Sequence, residues 1–173
     1  MLIESTVAVL GIASIIINGF AMKEENVIKA KVLLGLAVLL VIPDFYTHGG
    51  IHGSIQSIII VLMCFLGAFE YKKAEKMVLY FIPFFSTYLL FGLQELSGIV
   101  IVIASVTTSL ATTSKDPKIM KLLLSISTIC WGAYSYLYGA WFAFAFDVVG
   151  LIGLIIFFIN YKKKYNYVQE IST

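Results

Sequence analysis

The chain has 173 residues, 60% of them hydrophobic and only 13% charged, with a net charge of +2 and no arginine. Its mean hydropathy is +0.96. So little polar surface cannot coat a water-soluble globule, so the composition excludes an ordinary soluble domain and requires contact with lipid. It also argues against nucleic acid as a partner, because such proteins build a basic face from Lys and Arg.

Apolar runs long enough to cross a bilayer predict the elements in chain order. Residues 2–22 form the first, and Glu4 stands where a signal peptide would carry basic residues, so this run reads as a retained span. Residues 32–46 form a short second run that Pro43 kinks or ends, and residues 51–69 form the third. Residues 77–93, with Pro83 as a kink, and residues 96–112 are divided only by Gln94-Glu95. Joined, they would make a helix of roughly 36 residues and about 54 Å, far beyond a hydrocarbon core of about 30 Å, so the chain must break there. Residues 119–138, with Pro117 at the favoured first position, and residues 141–159 complete seven predicted spans. The polar tail at 164–173 is expected to be loosely ordered.

The lysines test this count. They fall in four clusters: Lys23, Lys29 and Lys31; Lys72, Lys73 and Lys76; Lys115, Lys118 and Lys121; and Lys162, Lys163 and Lys164. With seven spans, all four lie in loops or a tail on one side, which the positive-inside rule makes cytoplasmic. The N-terminus is then outside and the C-terminus inside. The opposite loops carry His48 to His52, Gln94-Glu95 and Gly139-Ala140, with Tyr46, Tyr138 and Trp141 as an aromatic belt.

An internal repeat emerges at a shift of 90 positions. Lys31 aligns with Lys121, Leu33-Leu34 with Leu123-Leu124, Tyr46 with Tyr136, Gly49 with Gly139, and Tyr71-Lys72-Lys73 with Tyr161-Lys162-Lys163. Two three-helix units of the same orientation need an odd number of spans between them. The reading is therefore an all-α membrane protein of three-plus-one-plus-three plan. Residues 1–73 form the first repeat, 74–93 a linker helix, 94–163 the second repeat and 164–173 a cytoplasmic tail. Transporters built from parallel repeats hold their substrate near the midplane between them.

Ionisable and polar groups inside spans are the natural site candidates, since a charge at a helix centre costs about 2.5–3.5 kcal/mol on insertion. Asp147 lies about 9 Å down the last helix, and Trp131 reaches the same level if the last two helices pack across a tight Gly139 turn. Carboxylate and indole together suit a polar or cationic solute; the plainer alternative pairs Asp147 with the Tyr134 hydroxyl. The first repeat offers Gln56 and Ser57 at the corresponding place. Asn18 and Thr108, also repeat-equivalent, either line a vestibule or bond between helices. Asp44, His48 and His52 have metal-ligand residue types, but the glycines among them favour a solvated loop. Cys64 and Cys130 sit in apolar runs as small packing residues. No GxSxG, HExxH or Walker motif occurs, nothing argues for an enzyme, and no cofactor or metal is implied.

The stretch from Glu95 to Lys164, with its Ser127-Thr-Ile-Cys-Trp131 run, its Gly139 turn and the acid at Asp147, resembles the YgjV-like bacterial inner-membrane proteins. Gly11, the charged loop from Lys23 to Lys31 and the short turn before Ile51 extend the resemblance over nearly the whole chain. That family is similar to the SWEET and PQ-loop (MtN3-like) carriers of small solutes, whose fold is two triple-helix bundles joined by a linker helix. The resemblance implies that Trp131 stands in for a pocket tryptophan and Asp147 for an amide. Helices one and five lack the prolines of such carriers, which puts alternating access in question. The expected function is thus passage of a small polar solute. The competing reading is a non-transporting assembly partner or receptor, and a homo-oligomer is compatible with either.

Overall fold

The computed structural model describes residues 2–48, 50–69, 76 and 96–172. These residues form six helices and no strand: α1 (Leu2–Lys23), α2 (Val27–Thr47), α3 (Ile51–Ala68), α4 (Leu96–Thr113), α5 (Pro117–Tyr138) and α6 (Trp141–Ser172). Three of them contain stretches long and apolar enough to cross a membrane, Glu4–Lys23, Ile51–Ala68 and Trp141–Lys164, and Ser97–Thr113 is a shorter apolar helix. The expected span at 77–93 lies outside the described residues.

Local chemistry sets the helix ends, and it repeats. The Asn26 side chain accepts from Lys29 N–H at 3.1 Å and starts α2. Asp116, at the matching place, accepts from Lys118 and Ile119 N–H at 2.7 and 3.2 Å and starts α5, with Pro117 inside the first turn. At the far ends, Gly50 N–H bonds to Phe45 carbonyl at 2.8 Å and Ala140 N–H to Ser135 carbonyl at 3.0 Å. Gly139 supplies the left-handed residue of the second turn, at φ 68°.

The helices close into a ring in which each packs on its chain neighbours and α6 returns to α1, while α2 also reaches across to α5 and α6. Glycines bring α6 against α1. A Cβ at Gly150 would stand 2.8 Å from Asn18 Nδ2, and one at Gly153 would stand 2.8 Å from Met22 Cβ. Without a hydrophobic force between helices in lipid, such close backbone approach is what holds them.

The ring is inside-out by the standards of a soluble protein. Val9, Ile12, Ile16 and Phe20 form the exposed stripe of α1, and Ile119, Leu122, Ile126 and Ile129 that of α5. The opposite faces bury Ser14, Asn18, Ser127 and Thr128. Aliphatic side chains outside and hydroxyls inside are stable only where the surrounding solvent is hydrocarbon.

Three expectations are corrected. Lys31 and Lys121 are not loop lysines: they are 4% and 1% exposed, lie within α2 and α5, and donate to the Gly67 and Ala21 carbonyls at 3.4 and 2.7 Å. Each thereby satisfies a carbonyl in the last turn of another helix, where a cation is favoured. The tail is not loose, because α6 continues to Ser172. No glycine or proline follows Gly153 to stop it, and Lys164 pairs with Glu25 at 2.8 Å beside the α1–α2 turn. Pro43 does not end α2, which runs on through Thr47.

The bond from Lys121 to Ala21 puts the C-terminus of α1 and the N-terminus of α5 at one end of the ring. The α1–α2 and α4–α5 turns therefore share that end, and α1–α3 and α4–α6 run the same way up. Phe69 and Leu96 consequently lie at opposite ends.

Candidate functional site

A cavity of about 40 Å³ lies within the ring, walled by residues from both sets of three helices. Ser57 comes from α3, Thr108 from α4, Ser127, Thr128 and Trp131 from α5, and Asp147 from α6. Met22, Leu34, Val38 and Val41 of α1 and α2 complete an aliphatic wall, and Phe45 joins Trp131 at one end. This volume offers about three water positions.

Helix α5 positions most of the polar wall. Ser127, Thr128, Trp131 and Ser135 recur at helical spacing and are all buried. Ser127 Oγ donates to Ala104 carbonyl at 3.1 Å and makes a short hydrogen bond with Thr108 Oγ1, which ties α5 to α4. Ser135 Oγ donates to Asp147 Oδ2 at 3.4 Å, and a Cβ at Gly132 would stand 3.4 Å from Asp147 Cβ. The Gly139 turn thus brings Trp131 and Asp147 to one level. The carboxylate's partner is Ser135 and not Tyr134. Phe45, Trp131 and Tyr134 form an aromatic cluster, with centroids 5.7 Å apart for Phe45–Trp131 and 5.9 Å for Trp131–Tyr134.

Of the residues singled out from sequence, Trp131, Asp147, Ser57 and Thr108 meet at the cavity. The other three do not line it. Asn18 Nδ2 donates to Phe146 carbonyl at 2.8 Å, so this residue bonds α1 to α6. The Tyr134 hydroxyl accepts from Gly53 N–H at 3.1 Å. Gln56 is buried at 2% exposure but faces elsewhere.

Asp44 was misplaced by the loop reading. It is 1% exposed inside α2, and its Oδ2 accepts from Ala143 N–H at 2.8 Å, in the first turn of α6. A carboxylate there satisfies a free helix N–H and the positive end of the helix together. His48 Nδ1 lies 3.3 Å from Asp44 Oδ1. Among the described residues no group of three or more His, Cys, Asp or Glu side chains could hold a metal ion. The signal that could have placed Asp44 was the repeat itself, which aligns it with Tyr134 in the interior of α5. Ser127 and Thr128 were likewise legible as the polar part of the Ser127–Trp131 run.

A ring of helices with an aliphatic outside and polar groups turned inward defines an integral membrane protein. Residues 7–166 match the Imp-YgjV family, described as bacterial inner membrane protein, and the chain belongs to that family. It is accordingly a bacterial inner membrane protein in contact with the lipid bilayer. No curated protein and no solved structure matches it.

Proposed function

We propose that the protein passes a small polar solute across the bacterial inner membrane through the cavity between its two halves. The supporting observation is that cavity, where Ser57 and Thr108 meet Trp131 and Asp147. In this reading residues 74–93 form the linker helix of a seven-span, three-plus-one-plus-three plan, as in the SWEET and PQ-loop carriers. The end bearing Lys23 and Lys115 faces the cytoplasm and the end bearing His48 faces outward.

The cavity is closed down to a few water positions, so passage of anything larger requires the halves to move. Purified protein in liposomes should accelerate uptake of small polar solutes over empty vesicles, and Asp147→Asn or Trp131→Ala should remove that increment. Wild-type rates in both variants would eliminate this pocket as the path.

One observation favours a second reading, an assembly partner or receptor that moves nothing: hydrogen bonds tie the halves together at both ends of the ring. It predicts that gentle solubilisation recovers a stoichiometric partner, and that no solute tested is taken up.

A further inference from the structure

The cavity wall is chemically one-sided. Among the described residues its polar groups are one carboxylate, from Asp147, the four hydroxyls of Ser57, Thr108, Ser127 and Thr128, and the Trp131 indole; no described lysine, histidine or amide side chain contributes. Thr108 and Ser127 spend their hydrogens on each other and on the Ala104 carbonyl. An anion would find the indole N–H and a repelling carboxylate. A polyol could bond the Ser57 and Thr128 hydroxyls but would leave the carboxylate without a counter-charge.

Among the described residues Asp147 has no resident counter-charge: its hydrogen bond is the 3.4 Å contact from Ser135, and no ion pair reaches it. The buried cations Lys31 and Lys121 are committed to helix carbonyls at the other end of the ring. Lys121 precedes Trp131 on α5 by ten residues, roughly 15 Å at 1.5 Å per residue. A carboxylate kept ionised at this depth in a membrane protein requires a partner of opposite sign. An aromatic face beside it favours a soft organic cation.

We infer that the cavity is a binding site for a small primary ammonium ion, held by the Asp147 carboxylate and the Trp131 ring. This rests on the proposed function in so far as the cavity takes a solute. Its volume limits the ion to about the size of methylammonium; an amino acid or sugar exceeds three water positions.

Methylammonium chloride titrated into the purified full-length protein tests the site by thermal stability at fixed ionic strength. A saturable rise in melting midpoint is expected, absent with sodium chloride or glycerol. Asp147→Asn should abolish it, and Asp147→Glu, which keeps the charge, should retain a weakened response. Trp131→Phe should raise the half-saturating concentration roughly three- to tenfold. Absence of a saturable shift in the wild-type protein overturns the inference whatever the variants do, as does an unchanged shift in Asp147→Asn. Liposome assays separate the two claims. Glycerol or urea uptake without methylammonium binding keeps solute passage and overturns the ammonium site. Methylammonium binding without any uptake supports the site and overturns passage.

Discussion

Asp44 and Tyr134 occupy the same position in the two halves and make the same bond in opposite directions. Asp44, on α2, accepts from the Ala143 N–H at the start of α6. Tyr134, on α5, accepts from the Gly53 N–H at the start of α3. Gly53 and Ala143 are themselves equivalent under the 90-residue shift. Each half therefore caps the third helix of the other, and the pair crosses the ring close to the aromatic end of the cavity. One acceptor is an acid and the other a phenol, so the bonding function persists where the residue identity does not.

The acid cap should be the stronger. Removing Asp44 as Asp44→Ala leaves the Ala143 N–H buried without a partner and should cost about 1–3 kcal/mol, whereas Asp44→Asn keeps an acceptor and should cost less. Thermal melts of the purified variants in one detergent check the order. Equal losses in the two would mean that the charge, not the acceptor, carries the bond.

Tyr134→Phe removes one neutral hydrogen bond and should cost about 0.5–1.5 kcal/mol. Gly53→Ala should cost more, because the added methyl would sit 2.7 Å from Tyr134 Cε1 and 3.2 Å from Phe45 Cδ1. Forcing two packed rings apart costs about 1–3 kcal/mol. The same melts, with near-ultraviolet dichroism reporting the ring cluster, should show the larger change for the glycine variant.

Glycine substitutions should separate along the helix interfaces. Gly150→Ala and Gly153→Ala, each placing a methyl 2.8 Å from an atom of α1, should destabilise by about 1–3 kcal/mol. Gly132→Ala meets its nearest atom at an ordinary 3.4 Å and should be nearly neutral. Gly139→Ala has open space but a positive φ, so its cost of about 1 kcal/mol should come from the backbone alone. A Gly139→Asn variant should recover most of it, measurable as a return of the melting midpoint.

Lys121→Met tests the buried cation. The variant keeps the length of the stem but leaves the Ala21 carbonyl without its 2.7 Å donor and removes the cation 5.6 Å from the Phe157 ring centroid. A loss of about 1–3 kcal/mol is expected. Lys118→Met, at an exposed position in the same turn, should change stability by less than about 0.5 kcal/mol.

The sequence by itself determined that the chain belongs in lipid, where most helices lie, and where the turns before Ile51 and at Gly139 fall. These follow from composition, from run length and from short-range chemistry: Pro117 and Gly139, like the caps Asn26 and Asp116 that the structure shows, act on neighbours within a few residues. It also brought Trp131 and Asp147 to one level, because a tight turn makes depth a matter of counting residues. Only the tertiary structure decided which way each polar side chain turns. Lys31 and Lys121 look like loop lysines, and Asp44 like part of a loop, until a helix end from elsewhere in the chain arrives to take up the charge. Asn18, Tyr134 and Gln56 look as eligible for the cavity as Thr108 and Ser57, since all five are polar and lie in helical segments. Their separation depends on rotation about each helix axis, which is fixed by contacts between residues 80 to 130 positions apart and leaves no mark in local sequence.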